Sequence, residues 1–455
     1  MTKSVKKSSL KRWKKCEICP KKMTLSEKQW GKSKELKNVS VDSLLDLIGK
    51  ETFEKIVEEL HADKWVIKFK TMTVFKLIVY SLLEHERHSL RMMSESYSSP
   101  IFQAMLKDEH GTMSYTAIRS RLMNVKQDFF KRAFEEVGSV LNANYSEKSL
   151  IKYHIKRYDS TMIATFSHLM TGMKVGNTSK GKTQVKLTTE LGGSFDVRMT
   201  FFKDQAHLSE ETALAEVIQK ATHSKKDLIV FDRGLKDRLK FVKFDSQSLF
   251  FVTRLADHPR FVVIRQHSDV SKIEDENLVF VQDSIVHLFG NANTLVEHPF
   301  RLIEMKRKSD NQTIFLLTNS IISEPKKDKD GDDMLFLTTQ QVAQVYKQRW
   351  DIEVLFKFLK QEMNLRHFVC NDLNAIQVMI YSTLIVAMLL LVYKKLNNIR
   401  SYKVAKFRFF NELQAAILLE LLENNENIPI IKEILKKNVK YNSRDPDSIN
   451  KNKIF

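Results

Sequence analysis

The sequence predicts an α/β protein in which a strand-rich centre lies between two helical regions. Three observations lead to this fold class. Apolar residues recur at helical spacing from Ser40 to about Tyr145. From Ile151 the chain changes to short runs rich in β-branched and aromatic residues, which are typical of strands. Leu228–Phe231 is a continuous apolar run that ends before an aspartate, as expected of a strand buried on both faces.

The first 150 residues divide into a basic arm and a helical region. Residues 1–40 hold 13 Lys and Arg against 3 Asp and Glu, so we predict a flexible arm without a core. Residues 41–150 are predicted to be helical, with Ser40 and Ser114 as helix caps and a further helix at about 127–143. The helix after Ser114 and the next one form either a helix-turn-helix-like DNA reader or two solvated basic faces. Their cations are Arg119, Arg121, Lys126, Lys131 and Arg132.

Residues 151–257 contain predicted strands and one predicted helix. The helix is expected at about 209–222, with Ser209 as its cap. Gly192 and Gly193 mark a hairpin turn between two of the strands. The predicted strands are Lys156–Phe166, Val185–Glu190, Phe195–Phe202, Leu228–Phe231 and Phe250–Leu255.

Residues 258–337 alternate in strand fashion with few helix signals, so we predict an all-β insertion. Its last loop, Lys326–Asp333, is predicted to be a solvated turn. Its glycine is the fourth residue from Asp328 and not the sixth, which excludes a calcium loop of the EF-hand type. The predicted strands of the insertion are Phe261–Arg265, Leu278–Val281, Arg301–Lys306 and Ile314–Thr318.

Two helices and a tail complete the chain. One helix is predicted to begin near Thr338, and the next, at 374–396, is almost wholly apolar. Ala375–Tyr393 is nearly long enough to cross a membrane. It is a lone segment late in the chain with charged sequence on both sides, so we interpret it as the buried helix of a large core. A membrane-spanning helix is the alternative. Residues 397–455 are predicted to form a helical, basic tail.

Charge and cysteine content limit the partners and the compartment. With 74 Lys and Arg against 55 Asp and Glu, the net charge is +19, which predicts nucleic acid or an anionic membrane surface as partner. The first 40 residues lack the apolar segment of a secretory signal, and only Cys16, Cys19 and Cys370 occur, which fits a reducing compartment. No second cysteine or histidine pair follows Cys16 and Cys19 at zinc-finger spacing, so no metal site is predicted there.

Four polar residues after Thr338 have helical spacing. On one continuous helix, Tyr346, Arg349, Glu353 and Lys360 would lie within an arc of about 60°, beside an apolar face. Such a helix could be held against a core while presenting a charged stripe to a polyanion. The alternative is a solvated face with an ordinary Arg349–Glu353 pair.

Three carboxylates occur at positions where functional groups gather in an open sheet. Asp159 lies in the first predicted strand, Asp232 ends the buried apolar strand, and Glu353 lies on the striped helix. Carboxylates from three distant elements can converge to bind two Mg²⁺ ions for phosphodiester chemistry. Each aspartate alone also suits a structural role, at a strand end or in a turn. Their coincidence with the stripe makes the set more specific.

The acid order and the spacing of six residues resemble the DDE transposases of the IS4 family, which carry a Y(2)R(3)E(6)K signature. These residues are Asp159, Asp232 and Tyr346-x2-Arg349-x3-Glu353-x6-Lys360. The resemblance covers about residues 151–396. It implies a ribonuclease H-like mixed-sheet catalytic core in two parts, 151–257 and 338–396, interrupted by a β-rich insertion at 258–337. It also implies that residues 41–150 are the DNA-binding region.

The resemblance implies a role for each of these residues. Asp159, Asp232 and Glu353 would be catalytic and would bind the metal, two Mg²⁺ or Mn²⁺ ions. Arg349 and Lys360 would bind phosphates of the transposon end. The remaining signature residue, Tyr346, would pack or hydrogen-bond beside them.

Two features depart from the family pattern. The family often has Asp-x-Gly-x-x-Tyr/Phe at the second acid; Gly234 fits this pattern, but Asp237 stands where the aromatic residue is expected. Phe241 is our candidate for the missing aromatic residue. In some relatives an aromatic residue of the insertion stacks on a flipped base, and the insertion here has no Trp, so that role is unassigned.

The predicted function follows from the resemblance. The chain is expected to bind the terminal inverted repeats of an insertion sequence, hydrolyse phosphodiesters at its ends and join the 3′-OH groups to target DNA. Its partners would be double-stranded DNA and a second copy in a homodimeric complex, without a membrane, in the bacterial cytoplasm or on the nucleoid. The alternatives are a ribonuclease H-like nuclease without strand transfer and a non-catalytic, transposase-derived DNA-binding protein.

Overall fold

The computed structural model describes residues 41–86, 88–106, 111–145, 153–164, 173–174, 183–192, 197–290, 293–327, 335–363, 365, 368–370, 372–422, 428–429, 432 and 436. Four predictions lie wholly or partly outside these residues. They are the arm at 1–40 with its two cysteines, the hairpin turn from Gly193 onward, most of the turn at Lys326–Asp333, and the end of the tail after residue 436.

The described N-terminal part is helical, as predicted. Its helices are α1 (Val41–Ile48), α2 (Lys50–Glu59), α3 (Thr71–Glu84), α4 (Leu90–Ser98), α5 (Pro100–Ala104), α6 (Tyr115–Asn124) and α7 (Gln127–Tyr145). Ser114 begins α6 as expected, because its Oγ accepts a hydrogen bond from the backbone N–H of Ala117 at 3.2 Å.

The five cations predicted to decorate α6 and α7 are mostly engaged by the protein itself. Arg121 pairs with Asp63, Arg132 pairs with Glu59, and Lys131 lies 4.0 Å from Glu135. Lys126 donates to the carbonyl oxygen of Leu60. Four of the five cations of this helix pair therefore contact groups of the protein itself.

The centre of the protein is one mixed sheet of ten strands with helices between them, and the predicted α/β class is confirmed. Its strands are β1 (His154–Ala164), β2 (Met173–Lys174), β3 (Thr183–Leu191), β4 (Val197–Phe202), β5 (Asp227–Phe231), β6 (Phe250–Arg254), β7 (Phe261–Gln266), β8 (Leu278–Phe289), β9 (Leu295–Arg307) and β10 (Thr313–Thr318). Helices α8 (Glu210–Lys220) and α9 (Arg238–Ser246) lie on either side of β5 in the chain.

The order of the strands is β2-β3-β1-β5-β6-β10-β9-β8-β7, and β4 pairs with β3. β5 runs parallel to both of its neighbours, β1 and β6, and all five of its residues are buried. This burial explains why its sequence is a continuous apolar run and does not alternate.

The β-rich block at 258–337 continues the central sheet. β10 pairs antiparallel with β6, from Leu316 opposite Arg254 to Thr318 opposite Val252. β9, β8 and β7 then extend the sheet outward by antiparallel pairing. The four predicted strands of this block are therefore present, and β10 joins them to the central strands by its hydrogen bonds with β6.

The predicted single helix after Thr338 is divided into α10 (Thr339–Lys347) and α11 (Trp350–Gln361), so this prediction was wrong. Thr338 does cap the first helix through a capping box with Gln341. At the break, the backbone N–H of Arg349 bonds to the carbonyl of Tyr346, three residues back. Such i to i−3 bonds tighten the chain toward three residues per turn, which interrupts the α-helical ladder.

The apolar helix α12 (Leu373–Leu396) is followed by α13 (Tyr402–Leu422). By length and composition α12 could span a membrane, yet 89% of its most apolar window is buried inside the protein. It packs against α3, α6, α7 and α13, which supports its interpretation as a core helix. One continuous apolar cluster joins the N-terminal helices, the β3–β4 strands and α11 to α13.

A buried ion pair connects the β-rich block to the start of α10. Arg301 of β9 and Asp283 of β8 are both fully buried, and Arg301 Nη2 lies 2.7 Å from Asp283 Oδ2. The same guanidinium donates to the carbonyl oxygen of Leu337, and the hydroxyl of Thr339 donates to Asp283. These four buried groups thus provide one another's hydrogen-bond partners.

Replacing Asp283 with alanine should destabilise the protein by about 3–5 kcal/mol, because Arg301 would stay buried without its counter-ion. The matched control is Asp257→Ala, which removes a half-exposed partner of Arg254 and should cost less than about 1 kcal/mol. Urea unfolding of both variants measures the difference. Equal midpoints for the two variants would contradict the role assigned to Asp283.

Candidate active site

Parallel pairing of β1 with β5 places the two predicted aspartates side by side. Tyr158 is opposite Phe231 in this register, and Asp159 and Asp232 are the next residues of the two strands. Both aspartates are half-buried, whereas Tyr158 and Phe231 beneath them are fully buried. The core below therefore fixes where the two carboxylates emerge.

The carboxylate of Asp159 lies in an unusually acidic and desolvated environment. Burial raises its pKa to about 7, and the negative charges of Glu210 and Glu353 contribute in the same direction. The backbone N–H of Ser160, which donates to Oδ1 at 2.7 Å, and the charge of Arg349 oppose this shift. Asp159 therefore shares its surroundings with two other carboxylates and one cation.

The last turn of α10 reaches the second aspartate. The hydroxyl of Tyr346 donates to Asp232 Oδ1 at 3.0 Å. The pKa of this phenol is raised, first by burial and then by the neighbouring charge of Asp232. Tyr346 therefore stays protonated and keeps Asp232 in one orientation.

Arg349 lies at the break between the two helices and is only 8% exposed. Its Nη1 donates to Glu353 Oε1 at 2.9 Å, and its guanidinium lies over the ring of Tyr346 at 5.6 Å. Burial disfavours its charge, but Tyr346, Asp232 and Glu353 together raise its pKa. The cation is thus held among the acids, and its buried Nε has no hydrogen-bond partner in the described residues.

Lys360, the last residue of the signature, is directed at the first strand. Its Nζ donates to the hydroxyl of Thr161, two residues beyond Asp159. Residues i and i+2 of a strand lie on one face, so Lys360 contacts the face that carries Asp159. The structure thus places all four signature residues around the middle of β1 and the end of β5, although the helix that carries them is broken.

Sequence reasoning missed a fourth carboxylate, that of Glu210. It is the first residue of α8, and it remains exposed on one side. A Cβ built on Gly234 would lie 2.8 Å from Cδ of Glu210, so the missing side chain of the glycine makes room for this carboxylate. Desolvation raises the pKa of Glu210, Lys186 opposes the rise, and Asp232 adds to it. An acid after a helix cap is common, so its sequence position gave no signal.

Phe241, our candidate for the family's missing aromatic residue, lies in the core next to β5. Phe241 of α9 is fully buried, and its ring centroid lies 6.1 Å from that of Phe231 and 5.2 Å from that of Phe251. It packs beneath the strand that ends in Asp232. Asp237, in the position where an aromatic residue was expected, instead caps α9 by accepting from the N–H of Leu239.

The donor set suits a hard divalent cation in its chemistry, because carboxylate oxygens are the ligands that such ions prefer. Within the described part of the chain, however, no three His, Cys, Asp or Glu side chains are close enough together to form a ready-made metal cage. Arg349 and Tyr346 instead hold Glu353 and Asp232 through hydrogen bonds. An arriving ion would have to replace these contacts.

A comparison with protein families identifies a domain in this part of the chain. Residues 158–389, just over half of the chain, match the family described as the transposase DDE domain. This segment begins one residue before Asp159 and includes all six residues of the predicted set.

Two curated relatives are named provisionally as transposases. One, from Sinorhizobium fredii, is 29% identical over 37% of this chain and 43% of its own length. The other, from Synechocystis, is named for the insertion sequence element IS4SA and is 24% identical over 56% of this chain and 66% of its own length. Neither alignment covers two thirds of the relative. The name of the second relative agrees with the resemblance to the IS4 family, and because the family match covers more than half of the chain, the chain belongs to the family of the transposase DDE domain.

Proposed function

We propose that this chain is the enzyme that moves an insertion sequence. It binds the terminal inverted repeats, hydrolyses phosphodiester bonds at the ends of the element and joins the resulting 3′-OH groups to target DNA. The observation that carries the proposal is that Asp159 and Asp232 lie next to each other where the parallel pairing of β1 and β5 ends, with Tyr346 bonded to Asp232 and Lys360 bonded to the strand of Asp159.

The sheet supports a ribonuclease H-like core. β4, β3 and β1 are consecutive antiparallel neighbours, and β5 and β6 continue from β1 in parallel. Asp232 directly follows the carboxyl end of β5, where open α/β sheets place their functional groups, and Asp159 lies beside it in the middle of β1, just past the last parallel pair. We propose the β-rich block at 258–337 as the family's insertion and residues 41–150 as its DNA-binding region.

Metal ions bound by Asp159, Asp232 and Glu353 would catalyse the cleavage of the phosphodiester bond. Two Mg²⁺ or Mn²⁺ ions there would activate the attacking oxygen and stabilise the leaving one. The carboxylates supply the negative charge that binds the ions. Since Asp159 and Asp232 emerge from buried strands, their positions are fixed before any ligand arrives.

The cationic side chains would hold the DNA. Arg349 has a buried Nε without a partner in the described residues, and a phosphate oxygen is an acceptor that would satisfy it. Lys360 at the edge of β1 would bind a second phosphate. Tyr346 would hold Asp232 in place during the reaction. The net charge of +19 favours association with DNA in the cytoplasm, and two copies of the chain would pair the two ends.

Glu353→Gln should reduce Mg²⁺-dependent cleavage of DNA carrying the element's ends by at least about a hundredfold. Losing a residue that only supports a metal ligand costs up to about a hundredfold, and losing the ligand itself should cost at least as much. Because the amide keeps the size of the side chain, DNA binding should persist. The matched control is Glu420→Gln on the exposed face of α13, which should cleave like the parent. Unchanged cleavage by Glu353→Gln would refute its role. Hydrolysis without joining by the parent would support the nuclease alternative.

Divalent cations should raise the thermal unfolding temperature of the DNA-free protein, because an ion relieves the repulsion between clustered carboxylates. At a cation concentration of about 100 times the dissociation constant, the free energy of unfolding would rise by about 2.7 kcal/mol. Differential scanning calorimetry with Mn²⁺ measures it. Asp159→Asn should abolish most of the gain, whereas a gain that is undiminished in this variant would place the ion elsewhere.

Glu210→Gln and Gly234→Ala should lower cleavage to a similar degree, about tenfold to a hundredfold. The new methyl group at position 234 meets the flexible end of Glu210 and should displace this carboxylate from the site without unfolding the protein. Cleavage rates and unfolding temperatures of both variants check this. Parent-like cleavage by both would show that Glu210 is not needed.

A further inference from the structure

The loop at residues 60–70, between α2 and α3, exposes two large apolar side chains. Trp65 is 89% exposed and Ile67 is 87% exposed. Burial of a side chain of this size normally stabilises a protein or a complex by about 1.5–3 kcal/mol. Two large apolar side chains exposed close together therefore indicate a surface that binds a partner molecule. The active site described above does not use this loop.

The loop holds a conformation that its own sequence disfavours. Three of its non-glycine residues have positive φ, His61 at 47°, Trp65 at 69° and Phe69 at 58°. This region is uncommon for bulky L-residues, and such strain persists only where the surroundings enforce it.

Contacts on both sides of the two exposed residues enforce this conformation. Asp63 Oδ1 accepts from the backbone N–H of Thr71 at 2.8 Å, from its hydroxyl at 2.6 Å and from Nη2 of Arg121 at 3.2 Å. Arg121 Nε also donates to the carbonyl oxygen of Phe69, whose buried ring packs edge-on against Tyr97. The loop is therefore anchored at both ends while its tip projects into solvent.

The exposed tip is positively charged. Lys64, Lys68 and Lys70 are all exposed, and Lys64 Nζ lies 5.6 Å from the ring centroid of Trp65. Neither Lys64 nor Lys68 has an ion-pair partner among the described residues, because the nearby Asp63 is taken by Arg121. An aromatic and an aliphatic side chain between lysines fit a partner with both anionic and apolar surfaces.

We propose that this loop contacts double-stranded DNA, with its lysines on the phosphates and Trp65 and Ile67 against base pairs in a groove. The inference rests on the proposed function, since it assumes a DNA substrate. DNA offers phosphates on either side of apolar base faces, and apolar wedges beside basic residues are an established way of entering a groove. A protein partner is disfavoured, because lysine is depleted where aromatic residues form an interface centre.

The test measures binding of the full chain to a mixed-sequence DNA duplex at several salt concentrations. The double variant Trp65→Ala/Ile67→Ala should bind about tenfold or more weakly, because the burial of two large apolar side chains is lost. The double variant Lys64→Gln/Lys68→Gln should reduce the slope of log affinity against log salt by about two. Phe407→Ala removes a side chain that is 66% exposed on α13 and serves as the matched control with parent-like affinity.

The outcomes separate this proposal from the proposed function. If the parent chain does not bind the duplex, the proposed function itself fails. If the parent binds and both loop variants bind equally well, the loop proposal is overturned while the function stands. A loss confined to binding of phosphatidylserine vesicles, or to self-association, would also overturn it. Unchanged unfolding temperatures are expected, because both apolar side chains are exposed.

Discussion

The structure of the site depends on the parallel pairing of β1 with β5. β5 is buried along its whole length, so its register against β1 is fixed by apolar packing on both faces. A slip of one residue would turn Asp232 away from the face it now shares. The two aspartates therefore emerge together because Tyr158 and Phe231 are locked in the core beneath them.

The second constraint is electrostatic. Clustered carboxylates repel one another, and burial raises the pKa of Asp159 to about 7. Arg349 offsets this repulsion as a cation held between the two aspartates and Glu353. Under the proposed function, metal ions would take over this role and would release the guanidinium to bind a phosphate.

The third constraint is mechanical and comes from the β-rich block. Through Arg301 and Asp283 the strands β8 and β9 hold Leu337 and Thr339, which begin the helix that carries Tyr346. On the other side, α11 shares an apolar cluster with α12 and the N-terminal helices. The helical region that we propose as DNA-binding packs against α12, and α12 in turn contacts α11, which carries Glu353 and Lys360.

The sequence by itself determined the kinds of side chain in the site and their local positions. The apolar run before Asp232 predicted a buried strand, and the spacing from Tyr346 to Lys360 predicted that four polar side chains lie together on one side of a helix. Both depend on short-range periodicity, which a sequence records. Only the tertiary structure decided that the helix breaks at Arg349, that the β-rich block continues the central sheet, and that Glu210 joins the acids. These features arise from contacts between segments far apart in the chain, such as the space beside Gly234. No local pattern encodes such contacts, because their energy exists only once the segments are packed together.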